Sequence, residues 1–195
     1  MATAFVQIER LQSIEILRLQ SEDGTNRLTL DRIIALTQTI TLLAGNATPL
    51  VIAGNQRFFS AGAELNEIAA LSATEAYKFS ASGQALMATI ENFPAPIYAA
   101  ISGYCMGGGL DLALACHSRI ASPDAIFGHR GAALGLITGW GGTERLPRLV
   151  GKGRALEIFV TAEKISATKA LAIRLIDAIA ADPIAEAIER IHRRR

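Results

Sequence analysis

Three consecutive glycines, Gly107 to Gly109, stand between an apolar, strand-like run (Ile97 to Ile101) and a helix-forming run (Leu110 to Ala115). Glycine lets the backbone approach another group with no side chain intervening. The first N–H groups of a helix lack intrahelical acceptors and are open to an anion. A strand-to-helix turn of this kind has two readings. It is half of an oxyanion site, or it only allows tight strand–helix packing, with Asp111 supporting the helix start by about 0.3–1 kcal/mol.

The rest of the chain places this turn in an α/β fold. Phe5 to Glu9 and Ile14 to Leu19 alternate apolar and polar residues, as the two strands of a hairpin do. Leu30, Ile33, Ile34, Thr37 and Ile40 recur at helical spacing, and Gly45-Asn46 ends that helix. Pro49 to Gly54 is short and wholly apolar, the mark of a strand buried on both faces. Ser72-Ala-Thr-Glu75 is a capping box before a long amphipathic helix carrying Phe79, Leu86 and Ile90, stopped by Pro94 and Pro96.

After the glycine turn, Arg119 to Ala121 and Ala125 to Phe127 read as short strands around Pro123-Asp124. Gly128 to Gly142 is a loop with six glycines, and Thr143 caps the helix after it. Arg154 to Thr161 and Ala167 to Leu175 read as helices, and Pro183 begins the last one. Strands separated by such helices imply crossover connections. The one candidate boundary lies near Gly151, dividing an α/β core (residues 1–150) from an all-helical segment (151–195). No short sequence repeat is visible.

With 50% hydrophobic and 19% charged residues, the 195-residue chain has ample material for a core and too little charge for disorder. A net charge of +1 argues against a nucleic-acid partner. The arginine-rich end, Arg190 to Arg195, reads as a solvated helix terminus. No uncharged apolar run approaches the ~20 residues of a membrane span, and the N-terminus lacks a signal-peptide pattern. The two cysteines, Cys105 and Cys116, lack disulfide or metal spacing and read as buried thiols. A cytoplasmic protein without a metal is the expectation.

Chemistry converges on three stretches: the glycine turn with Asp111, a second strand–loop–helix junction at Ser60-Ala-Gly-Ala-Glu64, and the loop after Phe127. Two junctions of the same kind can aim two backbone N–H groups at one oxygen, each donor being worth about 10²–10³ in rate.

Ser60-Ala-Gly-Ala-Glu-Leu65, Met106-Gly-Gly-Gly-Leu-Asp-Leu112 and Gly139-Trp-Gly-Gly-Thr-Glu-Arg-Leu146 resemble, in order and context, the enoyl-CoA hydratase/isomerase (crotonase) family. The resemblance runs from about Phe5 to Ile179. It implies a crotonase-like spiral of strand-strand-helix units with a short helical C-terminal part. It implies an acyl-CoA thioester as substrate, with coenzyme A entering as part of it and no other cofactor. The N–H groups of Ala63 and Gly108 would hold the thioester oxygen. Ala61, Ala63, Glu64, Leu65 and Asn66 would lie along the CoA, with Gly107, Gly108 and Gly131 also at the substrate. Enoyl-CoA hydration or isomerisation is the default reaction, and a trimer-based homo-oligomer the default assembly.

Two departures stand beside these expectations. The first of the two glutamates that hydratases use falls on Asp111, one methylene shorter. The second falls on Gly131, and an alternative position further along falls on Gly139, so neither can carry a proton. Asp111 is then the one acid/base residue the resemblance supports. His129 reads as a structural or surface residue more than a catalytic one. Arg130 is a partner for a CoA phosphate or for Asp111. Glu144, His117 and Cys116 read as structural, and Trp140 as either pocket wall or core. The second departure is a C-terminal helical segment shorter than the resemblance leads one to expect: either the assembly contact is made differently, or the pocket is more open, or the chain is a shortened paralogue. A malonyl-type acyl-CoA decarboxylase and a non-catalytic acyl-CoA-binding protein are the alternatives. A Clp-like hydrolase is weaker, because no serine stands in a suitable turn.

Overall fold

A computed structural model describes residues 5–193. The strands form two sheets. The larger has six strands: β1 (Val6–Leu11), β2 (Ile14–Leu19), β3 (Leu50–Ala53), β5 (Ile97–Ile101), β7 (Ser118–Ala121) and β10 (Ala178–Ile179). Only the β1–β2 hairpin is antiparallel. The smaller contains β4 (Phe58–Ser60), β6 (Tyr104–Met106), β8 (Ile126–Gly128) and β9 (Ile165–Ser166), with β9 alone antiparallel.

The connections form a spiral of strand-strand-helix units. The chain runs from β3 to β4 and into α2 (Leu65–Ala70) and α3 (Ala73–Glu91). It then runs from β5 to β6 and into α4 (Gly108–Ala115), and from β7 to β8 and into a 3-10 turn and α5 (Gly142–Val150). Successive corners stack: Tyr104 N–H donates to Arg57 O and Ile126 N–H to Gly103 O, both at 2.9 Å. The three corner sequences differ, so this repeat of structure leaves no repeat of sequence.

Period-2 alternation sorts the buried strands between two cores. Leu17, Leu19, Leu50, Ile52, Ile97 and Ala99 join the main core with α1 (Leu30–Ala44) and α3. Their neighbours Ile16, Val51, Tyr98 and Ala100 face α8 (Pro183–Arg193) through Ala187, Ile188 and Ile191. Both faces of β3 and β5 are thus covered, as their unbroken apolar runs require. Ser72 and Glu75 form the expected capping box, and α8 begins at Pro183.

Several local expectations are corrected. The glycine turn does not follow β5 directly, because β6 intervenes. The short strands expected around Pro123-Asp124 do form, as β7 and β8, and they belong to different sheets. Thr143 lies inside α5, which is preceded by Gly141 at φ 91°. The segment after Gly151 is not all helical: besides α6 (Lys152–Thr161) and α7 (Ala167–Ala172), it gives β9 to one sheet and β10 to the other. In the arginine-rich end, Arg190 pairs with Glu186 at 2.6 Å and Arg193 with Glu189. Arg194 and Arg195 lie outside the described residues. Among the described residues no helix is long and apolar enough to cross a membrane.

Cys105 and Cys116 are free and buried. Burial pushes the Cys116 thiol up to about 12 and the Cys105 thiol well above its ordinary value. Because the thiolate is the reactive form, neither cysteine is expected to react with a thiol reagent at neutral pH in the native protein. Counting modified thiols by mass before and after denaturation checks this, with both labelled only in the unfolded chain.

Candidate active site

A cleft of about 990 Å³ opens where the ends of β4, β6 and β8 meet the loop after β8 and the α6 face. Its walls are mainly apolar. Ala61, Gly62, Ala63 and Leu65 contribute one side, Gly107, Gly108 and Asp111 the floor, and residues 129–140 the opposite side.

The two junctions predicted to cooperate do meet here. A methyl built on Gly62 would lie 2.7 Å from Met106 O and 3.2 Å from Gly108 N, so the Gly62–Ala63 backbone runs against the start of α4. Gly107 holds φ 50° and ψ −120°, a conformation that a residue with a Cβ rarely adopts, and it turns β6 into the helix. The flanking hydrogen bonds leave two donors over. Around Ala63, Leu28 N–H donates to Gly62 O at 2.8 Å and Glu64 N–H to Leu28 O at 3.2 Å. Around Gly108, Gly107 N–H donates to Gly128 O at 2.9 Å and Asp111 N–H to Gly107 O at 3.0 Å. The N–H groups of Ala63 and Gly108 have no acceptor among the described residues.

Trp140 is both core and pocket wall. It is 4% exposed, its ring centroid lies 5.3 Å from that of Phe79, and it lines the cleft. A Cβ on Gly83 of α3 or on Gly108 of α4 would lie 2.2 or 2.1 Å from indole atoms, so the indole is packed against both glycines. Gly109 is as tightly placed, since a Cβ there would lie 2.7 Å from Ser60 O.

Asp111 is 1% exposed, in the first turn of α4, one helical turn beyond Gly108. Its Oδ2 accepts a hydrogen bond from Thr138 Oγ1. Its Oδ1 faces His129 Nε2 at 3.3 Å, and His129 is 4% exposed. Neither atom makes a hydrogen bond of good geometry to any described residue. The ring of His129 lies against Phe159 of α6, centroids 5.1 Å apart. His129 is therefore not a surface residue, and Thr138 belongs to the same cluster although nothing in its sequence context singles it out. The alternation of β8 does carry a signal for His129: two residues after buried Phe127, it continues the inward face.

Other predicted residues stand apart from this cluster, Arg130 and Gly131 still within the cleft lining. Glu64 and Asn66 are outside the cleft lining: Glu64 caps α2 by accepting from Asn66 N–H at 3.1 Å and faces Arg27 at 3.7 Å. Gly131 lines the cleft, but a Cβ there would lie 2.6 Å from Leu136 O, so the loop as folded has no room for a side chain. Arg130 is exposed and makes no ion pair with Asp111. Glu144 pairs with Arg148 at 3.2 Å on the surface of α5. His117 Nδ1 accepts from Ile97 N–H at 2.9 Å, an anchor for β5. No group of three candidate metal ligands occurs among the described residues.

A family model described as enoyl-CoA hydratase/isomerase matches residues 9–194. A probable enoyl-CoA hydratase of Bacillus subtilis is 49% identical over 72% of this chain, and the match spans 55% of that protein's length. A crotonyl-CoA hydratase of Syntrophomonas wolfei is 36% identical over 92% of this chain and 70% of its own. Among solved structures, an enoyl-CoA hydratase from Bacillus anthracis superposes with a TM-score of 0.92 at 31% identity, over 97% of this chain and 76% of that one. One from Thermoplasma volcanium gives 0.92 at 32% identity, over 97% and 77%.

Proposed function

The chain belongs to the enoyl-CoA hydratase/isomerase family, and from that premise we propose that its cleft binds an enoyl-CoA and moves or hydrates the double bond through a thioester enolate. The observation that carries the reading is the pair of unaccepted N–H groups, Ala63 and Gly108, brought together by two backbone junctions at the floor of an apolar cleft. Hydrogen-bond donors fixed before reaction stabilise charge that develops on the thioester oxygen, without reorganisation at the moment of reaction. The apolar walls, including Leu65, Leu136 and Trp140, suit an acyl chain and exclude water.

Two thioesters separate the possible reactions. Crotonyl-CoA loses its conjugated absorbance on hydration, and 3-hexenoyl-CoA gains one on isomerisation. The expected result is turnover of one or both. Release of carbon dioxide from a malonyl-type thioester, with neither of the above, moves the reading to decarboxylation. Saturable thioester binding without any turnover moves it to a binding protein. Absence of binding sinks the acyl-CoA reading altogether.

A further inference from the structure

We propose that His129 is the group that transfers the proton in this cleft, that Asp111 acts through it as a positioning residue, and that the resulting chemistry is a double-bond shift within an enoyl-CoA. This deepens the acyl-CoA reading of the cleft and rests on it.

Both oxygens of Asp111 are directed at side chains of the cluster. Oδ2 receives the Thr138 hydroxyl, and Oδ1 faces His129 Nε2 at 3.3 Å. A carboxylate that is 1% exposed, with Thr138 on one oxygen and the imidazole beside the other, is poorly placed to meet a substrate carbon. What it does well is hold a ring. Placed beside Nε2, it orients the ring and favours the tautomer that carries its proton on that nitrogen. The Phe159 ring fixes the plane from α6, at 5.1 Å. The other nitrogen, Nδ1, has no hydrogen-bond partner among the described residues, and His129 lines the cleft. A base, its orienting carboxylate and an oxyanion donor therefore share one pocket, with Asp111 one helical turn from Gly108.

The number of proton carriers in the cleft separates the two reactions. Adding water across a double bond requires an activated oxygen at one carbon and a proton at the other. Gly131 and Gly139 bring no acid to this site, and Leu136 O occupies the space a side chain at Gly131 would need. A double-bond shift needs only one carrier. Nδ1 takes a proton from carbon 2 of a 3-enoyl thioester, and the C–H electron pair enters a dienolate whose oxygen is held by the Ala63 and Gly108 N–H groups. The imidazolium then returns the same proton to carbon 4, and the double bond remains between carbons 2 and 3. Protons and electrons balance, and no water or redox partner is consumed.

The test follows conversion of 3-hexenoyl-CoA to its conjugated isomer and, separately, binding of hexanoyl-CoA, which has no double bond to move. His129→Gln, which keeps a polar side chain of similar length, and His129→Ala are both expected to lose about 10²–10⁴ in kcat while hexanoyl-CoA binding is unchanged. Added imidazole is expected to restore part of the His129→Ala activity, an effect that a purely structural role would not produce. Asp111→Asn is expected to lower kcat less than His129→Gln does. Retained activity in a folded His129→Gln variant overturns the assignment, and so does a larger loss in Asp111→Asn, which returns the proton to the carboxylate. Wild-type protein that hydrates crotonyl-CoA but leaves 3-hexenoyl-CoA unchanged overturns the double-bond shift. Wild-type protein that binds no hexanoyl-CoA overturns the acyl-CoA reading itself, a failure distinct from the others.

Discussion

Gly142→Ala is expected to lower turnover by about 10²–10⁴ while leaving the protein folded, although it adds a single methyl group at a residue with no chemistry of its own. Gly142 begins α5 and is buried. Its missing side chain is the space that Asp111 and His129 occupy: an added Cβ would fall within the van der Waals envelope of Asp111 Oδ1, 3.1 Å from His129 Nε2 and 2.9 Å from Thr138 Cγ2. Something has to move, and the polar cluster is what stands there. The backbone at Gly142 is helical, so alanine itself meets no conformational obstacle, and in a helix it is favoured over glycine by about 1 kcal/mol. Overpacking opposes that gain by about 1–3 kcal/mol, leaving a folded chain with its carboxylate and imidazole pushed apart. Steady-state kinetics with 3-hexenoyl-CoA, set beside a thermal melt and hexanoyl-CoA binding, checks all three expectations. Wild-type kcat in this variant would show that the contact between Asp111 and His129 has no part in turnover.

The contact of Gly142 with Asp111 and His129 is invisible in the sequence, because it joins residues from three separate stretches of chain. What repeats along the chain is legible. The alternation of Ile14 to Leu19, the unbroken apolar run at β3 and the capping box at Ser72 each report a local environment, and each element stands where its pattern puts it. The glycine turn announces a backbone doing something close to another group. Very short elements carry no such pattern. The three residues of β6 and the two each of β9 and β10 are held by pairing partners far away in sequence, so residues 151–193 look helical until the sheets are seen.

The site divides in the same way. Ala63 and Gly108 are backbone donors, and their junctions are visible as motifs. The cluster of Asp111, His129 and Thr138 spans 27 residues between its ends, and its members are joined only because β6 and β8 are neighbours in one sheet. Read one at a time, Asp111 looks like the whole acid/base apparatus and His129 like a residue that follows a strand. The reason for glycine at position 131 is equally non-local, since it is the Leu136 carbonyl that fills the space.

Gly108→Ala is expected to reduce turnover by about 10²–10³, the typical effect of losing one oxyanion donor, and to lower stability by about 1–3 kcal/mol through overpacking. Both effects have one cause. A methyl at residue 108 would lie 2.1 Å from the Trp140 ring, and that ring cannot retreat, because Gly83 on α3 is also packed against it and Phe79 flanks it. The start of α4 must shift instead, taking the Gly108 N–H out of register with that of Ala63. Replacing Gly108 with proline deletes the N–H outright, but proline also carries a Cβ and meets the same indole, so that variant mixes lost donation with lost packing. A paired substitution separates them. Adding Trp140→Leu to Gly108→Ala removes the ring that forces the shift, and the double variant is expected to recover melting temperature and part of kcat relative to Gly108→Ala alone, a non-additivity characteristic of residues in contact. Thermal melts and 3-hexenoyl-CoA turnover for the single variants and the double variant complete the cycle. If Gly108→Ala melts and turns over as the wild type does, the N–H of Gly108 is not a donor to the reacting oxygen, and stabilisation of the enolate would have to come from elsewhere in the cleft.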